Sequence, residues 1–239
     1  MANMMKIEKL KAQRDVIDTS PLPIPLEQLI ARYEALFSGA INDVLREHAL
    51  TDQALPHNII PLRPEMKVCG VAFTIKSTTD PTIEGELVKR AEMLDCITPG
   101  SFCIWDTGGD DESAHWGEMM TAASKAHGAR AAAVNGGLRD TYQVLAQDFP
   151  VFYQYRTSNG SLGRCKMMAF QKPIRIGKVI IKPGDIVFGD IDGVVVVPRA
   201  LALEVLQRAE EIRDNEKDIK TWILGGKKAA DIAAQGGYF

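Results

Sequence analysis

The spacing of apolar residues changes period several times along this 239-residue chain, and each change marks a predicted element. Between 26 and 50, Leu29, Ile30, Tyr33, Leu36, Phe37, Ile41, Val44 and Leu45 recur at the interval that places side chains on one face of an α-helix. Ser38-Gly39 interrupts the run, so the pattern predicts two helices. The continuous apolar segment VCGVAFTI (68–75), rich in β-branched residues, predicts a buried strand, and GELVKRAEMLD (85–95) returns to the helical period before Pro99-Gly100. The alternation continues with a strand at FCIWD (102–106), a helix at SAHWGEMMTAASKAH (113–127) stopped by Gly128, a strand at ARAAAV (129–134) and a helix over 140–147. Strands alternating with helices predict an α/β layer architecture with a largely parallel sheet.

From Ile174 the rhythm shortens. IRI, VII, DIVF and VVVV are separated by Gly177-Lys178, Pro183-Gly184-Asp185 and 189–193, all turn-forming, which predicts a β-meander ending at Pro198. Residues 201–223 then read as one amphipathic helix with the charges of RAEEIRDNEKD on its outer face. Repeated proline in SPLPIPL fixes φ and disfavours helix. Residues 1–25 are therefore read as an arm, 26–224 as a single domain and 225–239, opening on Gly225-Gly226, as a tail that includes a short docked helix.

Composition narrows the function classes. A net charge of −3 gives no general positive field, and the longest basic cluster is Lys227-Lys228, too short to track phosphates, so no nucleic-acid partner is expected. Charges interrupt the apolar residues of MANMMKIEKLKAQRD, and no stretch reaches the ~18 apolar residues of a membrane helix, so neither a secretory leader nor a membrane span is expected. Cys69, Cys96, Cys103 and Cys165 form no C-x-x-C pair, which fits a reducing, cytoplasmic compartment. No glycine-rich strand-to-helix turn of the dinucleotide type is present, so no nucleotide cofactor is expected. His48, His57, His115 and His127 make no i, i+4 zinc pair. His115 reads as structural or solvent-facing, and GDIDG (189–193) as a turn.

The candidate chemistry lies between 106 and 140, where two successive strand ends deliver polar residues and paired glycines. Ligands in α/β sheets bind beyond the carboxyl ends of strands, so both loops are expected to face one crevice. In WDTGGDDES, Asp110 and Asp111 read as caps of the following helix. In NGGLRD, Arg139 offers a planar fork for a carboxylate and Asp140 offers hard oxygen atoms for Mg²⁺ or Mn²⁺. On residue type alone an Arg-Asp pair opening a helix is more often structural, since Asp is favoured in a first turn.

The segments SGAINDVL, VCGVAFTI, GELVKRAEMLDCITPGSFCIWD, HWGEMMTAASKAHGARAAAVNGGLRD, FPVF and IKPGDIVFGDIDGVVVVP together resemble the RraA-like family, over about 38–223. The resemblance is to its branch of class II 4-hydroxy-4-methyl-2-oxoglutarate (HMG/CHA) aldolases and oxaloacetate decarboxylases. It implies a layered α/β sandwich of the swivelling β/α type with a C-terminal meander and a long terminal helix. It also implies a Mg²⁺- or Mn²⁺-dependent lyase that cleaves a C–C bond in a small 2-oxo acid through a pyruvate enolate, assembled as a homotrimer or homohexamer. The family's acid, twenty residues, Arg-Asp signature stands here as Glu118 followed by Arg139-Asp140, with Glu in place of Asp. Carried over, Asp140 resembles the direct metal ligand, Glu118 the acid that holds metal-bound water, and Arg139 the residue that grips the substrate carboxylate. Backbone N–H groups around Gly117, Met119 and Met120 correspond to those that contact the 2-oxo acid. The segment YRTSNGSLGRCKMMAF departs from the family's Gly/Pro-rich linker. The same family contains non-catalytic regulators that bind a ribonuclease, the alternative reading; an acid at 118 together with Arg139-Asp140 favours the enzyme.

Overall fold

The computed structural model describes residues 7–235, so the first six residues of the expected arm and the last four of the tail lie outside the described residues. The arm carries a helix that the proline spacing did not predict, α1 (Glu8–Arg14), none of whose residues is buried. After it the chain is tied down by Lys182 Nζ donating to the Val16 carbonyl and by the Arg199 guanidinium donating to the Ser20 carbonyl. The two helices predicted from the apolar spacing form as α2 (Leu26–Glu34) and α3 (Ser38–Glu47), with Leu29, Ile30, Tyr33, Ile41, Val44 and Leu45 buried.

A short strand β1 (Ile60–Pro61) leads to β2 (Val68–Thr79), four residues longer than the apolar run because its polar end pairs with a strand late in the chain. Helix α4 (Glu86–Asp95) and strand β3 (Ser101–Asp106) follow as predicted. The predicted helix over 113–127 requires correction: its first residues form strand β4 (Ala114–Trp116), Gly117 is extended, and helix α5 begins only at Glu118 (Glu118–Ala126). Next come β5 (Ala131–Val134), β6 (Gly137–Leu138), α6 (Thr141–Ala146), β7 (Val151–Tyr153) and β8 (Tyr155–Arg156). β9 (Cys165–Phe170), absent from the sequence reading, is the strand that extends β2. The strand-rich C-terminal stretch resolves into two hairpins, β10 (Ile174–Ile176) with β11 (Val179–Ile181) and β12 (Ile186–Asp190) with β13 (Gly193–Val197). The long helix α7 (Ala202–Leu224) and a short α8 (Ala229–Ala234), whose Ile232 is buried, close the described chain.

The main sheet runs β1-β7-β5-β3-β2-β12-β13, with β9 also on β2. Its centre, β7-β5-β3-β2, is parallel; β1, β9, β12 and β13 pair antiparallel, so the sheet is mixed. Strand side chains alternate between faces, and both faces are covered. Cys103, Trp105, Ala132 and Val134 pack under Met93, Met120 and Val144 of α4, α5 and α6. Phe102, Ile104, Ala131 and Ala133 pack against Ile174, Ile176, Val179 and Ile181 of the first C-terminal hairpin. The second hairpin is roofed by α2, α3 and α7 through Tyr33, Ile41, Leu45, Val205 and Leu206. Trp116 is almost wholly buried, and its indole N–H donates to Thr121 Oγ1 at 2.9 Å. Removing that side chain should cost about 3–5 kcal/mol.

Candidate functional site

A small parallel ladder, β4-β6-β8, sets the geometry. Trp116 pairs with Leu138, and the Arg139 N–H donates to the Trp116 carbonyl at 3.0 Å, so the residues leaving β4 and those leaving β6 emerge side by side. Gly117-Glu118 and Arg139-Asp140, twenty-one positions apart in sequence from Glu118 to Arg139 by subtraction (139 − 118), thereby become neighbours. The contact is close: a Cβ at Gly117 would lie 2.7 Å from Asp140 Oδ2 and 3.1 Å from Arg139 Cγ. Gly117 has an extended backbone that any residue adopts, so its requirement is space.

Asp140 occupies the left-handed region (φ 53°, ψ 38°), a conformation Asp tolerates better than most side chains. Its Oδ2 accepts from the Glu118 N–H and lies near Arg139 Nε, both at 3.4 Å. Helix α5 thus presents its N-terminus, with first-turn N–H groups that have no intrahelical acceptor, to the Arg-Asp pair. Gln147 of the α6 end holds the Glu118 carbonyl through Nε2 at 3.2 Å, and Lys125 in turn donates to the Gln147 carbonyl. Gly160, bridged to Ala114 of β4, lies so near that a Cβ there would sit 2.9 Å from Arg139 Nη1. The cleft has a volume of about 370 Å³ and is lined by Leu138, Arg139, Asp140, Thr141, Arg156, Thr157 and Ser158.

The structure therefore brings Gly117, Glu118, Arg139 and Asp140 together, and it separates the two methionines. Met119 points outward, 75% exposed, whereas Met120 packs into the core, leaving only backbone to face a ligand. The side chains of Glu118 and the second oxygen of Asp140 have no hydrogen-bond partner among the described residues. The Asp140 carboxylate, with an unused oxygen at a solvent-open cleft, suits a hard divalent cation that keeps several waters, and Glu118 joins it there through its backbone N–H. A second concavity between α3 and α7 fits that chemistry poorly, since its walls carry the mutually paired Arg208–Glu47 and Arg46–Asp43.

The helix-cap assignment for Asp110 and Asp111 is corrected by the presence of β4. Asp110 accepts from the Ser113 N–H at 3.0 Å and from His115 Nε2 at 3.1 Å, and the residue before α5 is Gly117, with no side-chain cap. His115 is 1% exposed, which leaves the structural half of its reading. Sequence reasoning missed Gln147, Gly160 and the cleft residues Arg156 and Thr157; the turn-rich YRTSNGS segment was the only signal for the last three, and Gln147 had none.

A family model described as RraA-like, Aldolase/RraA, matches residues 38–196, a span that includes all four clustered residues. The chain belongs to the RraA-like family. Among relatives, it is 28% identical to Protein DlpA of Legionella pneumophila over 214 residues, which is 90% of this chain and 34% of DlpA. This chain thus spans about a third of that relative's length. It is 29% identical to a protein of Halalkalibacterium halodurans provisionally named 4-hydroxy-4-methyl-2-oxoglutarate aldolase, over 76% of this chain and 82% of that one. A crystal structure described as that of novel cellulases from microbes associated with the gut ecosystem is 53% identical, with a TM-score of 0.87 over 90% of this chain and 97% of that one. Among the described residues no helix is long and apolar enough to cross a membrane.

Proposed function

We propose that this RraA-like protein is a Mg²⁺- or Mn²⁺-dependent lyase that cleaves a C–C bond in a small 2-oxo acid, a 4-hydroxy-2-oxo acid aldolase that also decarboxylates oxaloacetate. The observation that carries this reading is that the Arg139 fork and the Asp140 carboxylate line one open cleft while the N-terminus of α5 donates to Asp140. Asp140 and, through water, Glu118 would hold the cation, which supplies the positive charge that stabilises a pyruvate enolate. Arg139 suits two-point binding of the 2-oxo acid carboxylate. The first-turn N–H groups of Met119 and Met120, which have no intrahelical acceptor, would donate to the substrate's oxygens. Glu118 would accept the substrate hydroxyl proton through a water and return it to the methylene carbon of the product.

An adjacent cation and anion match a charged oxo acid better than the neutral sugar that a cellulase cleaves, a reaction that needs two carboxyl groups flanking a glycosidic bond. The trimeric or hexameric assembly implied by the resemblance belongs to the same proposal, and exposed Met119 and Tyr142 beside the cleft supply apolar surface for it. The test is pyruvate release from oxaloacetate and from a panel of 4-hydroxy-2-oxo acids with Mg²⁺ and Mn²⁺, run beside a ribonuclease-binding assay at equal protein concentration. Metal-dependent release supports the lyase. Ribonuclease binding without any release across the panel would replace it with the regulator.

A further inference from the structure

Behind the cleft, on the other side of β4, lies a second group of side chains that the proposed reaction does not use. Asp110 comes from the loop after β3, His115 from the middle of β4 and Cys165 from the first position of β9. One potential ligand atom from each lies within 4.8 Å of the other two, and Asp110 Oδ2 is 3.1 Å from His115 Nε2. Tetrahedral zinc with bonds of about 2.0–2.3 Å places its ligand atoms about 3.3–3.8 Å apart, so a small closure of the triangle meets that spacing. The group is enclosed: the side chains of His115 and Asp110 are 0% and 8% exposed, and Cys165 is fully buried.

Without a cation, an ionised Asp110 can only accept, so His115 Nε2 carries the proton between them. A cation held by Asp110 would meet His115 at this same Nε2, and the displaced proton would move to the buried Nδ1, which has no partner among the described residues. The surroundings are otherwise built with care. Ser113 donates its N–H to Asp110, Tyr155 OH donates to the carbonyls of Asp110 and Ser113, and the Trp105 ring meets His115 edge-on at 5.5 Å.

We infer that Asp110, His115 and Cys165 form a structural site for a thiophilic divalent cation of the Zn²⁺ class. Thiolate and imidazole select such a cation over Mg²⁺. Three protein ligands leave a fourth position for water, and the burial of the group suits bracing of the fold better than chemistry on a substrate. A Cys-His-Asp nucleophilic triad is the competing use of the same residues. It fails because burial and the neighbouring Asp110 carboxylate push the Cys165 thiol up to about 11, leaving it protonated and unreactive. Cation binding displaces that one proton to solvent, and the Asp110 carboxylate and the new thiolate then balance the two positive charges. The cation would join the 107–113 loop, β4 and β9, and so brace the strand that delivers Gly117 and Glu118 to the cleft.

The experiment uses the full chain freed of metal by chelation and titrated with Zn²⁺ and, separately, Co²⁺. One equivalent of Zn²⁺ should bind, and one equivalent of Co²⁺ should give a near-ultraviolet thiolate-to-cobalt charge-transfer band. Cys165→Ser should abolish the band and weaken Zn²⁺ binding by about 100-fold or more. Cys96→Ser, at the exposed cysteine, and Asp140→Asn should retain both. Absence of the band from the wild-type protein, or its survival in Cys165→Ser, overturns the site. The wild-type measurement decides even where Cys165→Ser fails to fold. A protein that shows the band and releases no pyruvate loses the lyase reading and keeps this one.

Discussion

Two groups of polar side chains lie at strand β4 and differ in their relation to water. In the cleft, the side chains of Arg139 and Asp140 are 48% and 38% exposed and meet only at 3.4 Å. Behind it, Asp110 and His115 are closed off, and Asp110 accepts three hydrogen bonds, from Ser113 N and Oγ and from His115 Nε2. A solvated group exchanges water for a ligand at low cost, whereas a buried polar group depends on its protein partners. Substitution in the cleft should therefore change chemistry and leave the fold intact. Substitution behind the strand should do the reverse.

The largest effect expected is that of Asp140→Asn on turnover. Asn keeps the size of Asp and tolerates φ near 53°, so the backbone at this position is not strained further. Loss of the anionic ligand should lower kcat/KM by a factor of ~10² or more, with partial recovery at high Mg²⁺. Stability should stay within about 0.5 kcal/mol of the wild type. Steady-state kinetics beside a thermal melt checks both halves, and a large fall in Tm would break the comparison from the cleft side.

Asp110→Ala approaches it from the other side. It strands the Ser113 N–H and the His115 Nε2–H without acceptors, at a cost of about 2–3 kcal/mol. For a chain of this length that is a drop in Tm of roughly 4–12 °C. Turnover per folded molecule should fall less than in Asp140→Asn. Equal losses of turnover would mean that the two groups act as one site.

The two regions also differ in how far they could be read in advance. Arg139-Asp140 follows an apolar strand, and β2, β3 and β5 declare themselves through short runs whose alternate residues fill opposite faces. The pairing of Glu118 with Arg139-Asp140 was legible only through the family resemblance; what the structure adds is the β4–β6 register that makes them neighbours. Strand β4 was misread because SAHWGEMM suits a helix locally, and its pairing with β6 and its bridge to Gly160 hold those three residues extended. Cys165 meets Asp110 across fifty-five positions of sequence (165 − 110), a separation no metal-binding spacing would reveal. The same holds for Gly160, whose small size matters because Arg139 lies against it.

Arg139→Lys sharpens the division of labour inside the cleft. Lys keeps the charge and loses the two-point grip, so KM should rise by about 10-fold while the Mg²⁺ dependence stays near that of the wild type. An unchanged KM with altered Mg²⁺ dependence would move Arg139 from substrate to metal. Gly160→Ala tests the same guanidinium from the backbone that lies against it. A Cβ at 2.9 Å pushes Nη1 aside and should raise KM a few-fold, less than Arg139→Lys.

The smallest effect concerns pH. Burial lowers the His115 pKa below its ordinary 6.5, against the pull of Asp110. Burial alone would raise the Asp110 carboxyl, but hydrogen bonds from the Ser113 N–H and from His115 outweigh it and hold the group below 3.8. Both folded-state values are depressed, so each group contributes stability that is present above its unfolded value and is lost as pH falls. Asp185 works in the opposite sense. Burial raises it to about 6, so its contribution is full below 3.8 and disappears as pH climbs through 6. The raw melting profile between pH 4 and 6.5 therefore contains opposed terms, and the difference between wild type and His115→Gln isolates the cluster, since Asp185 is common to both. Gln still donates to Asp110 through its amide but does not titrate. The stability advantage of the wild type measured at pH 7.5 should shrink as pH drops below 6.5, because the unfolded chain gains a proton that the folded His115 resists. An advantage that grows on acidification would mean that His115 is held charged by Asp110, and the burial that sets this cluster apart from the open cleft would no longer govern it.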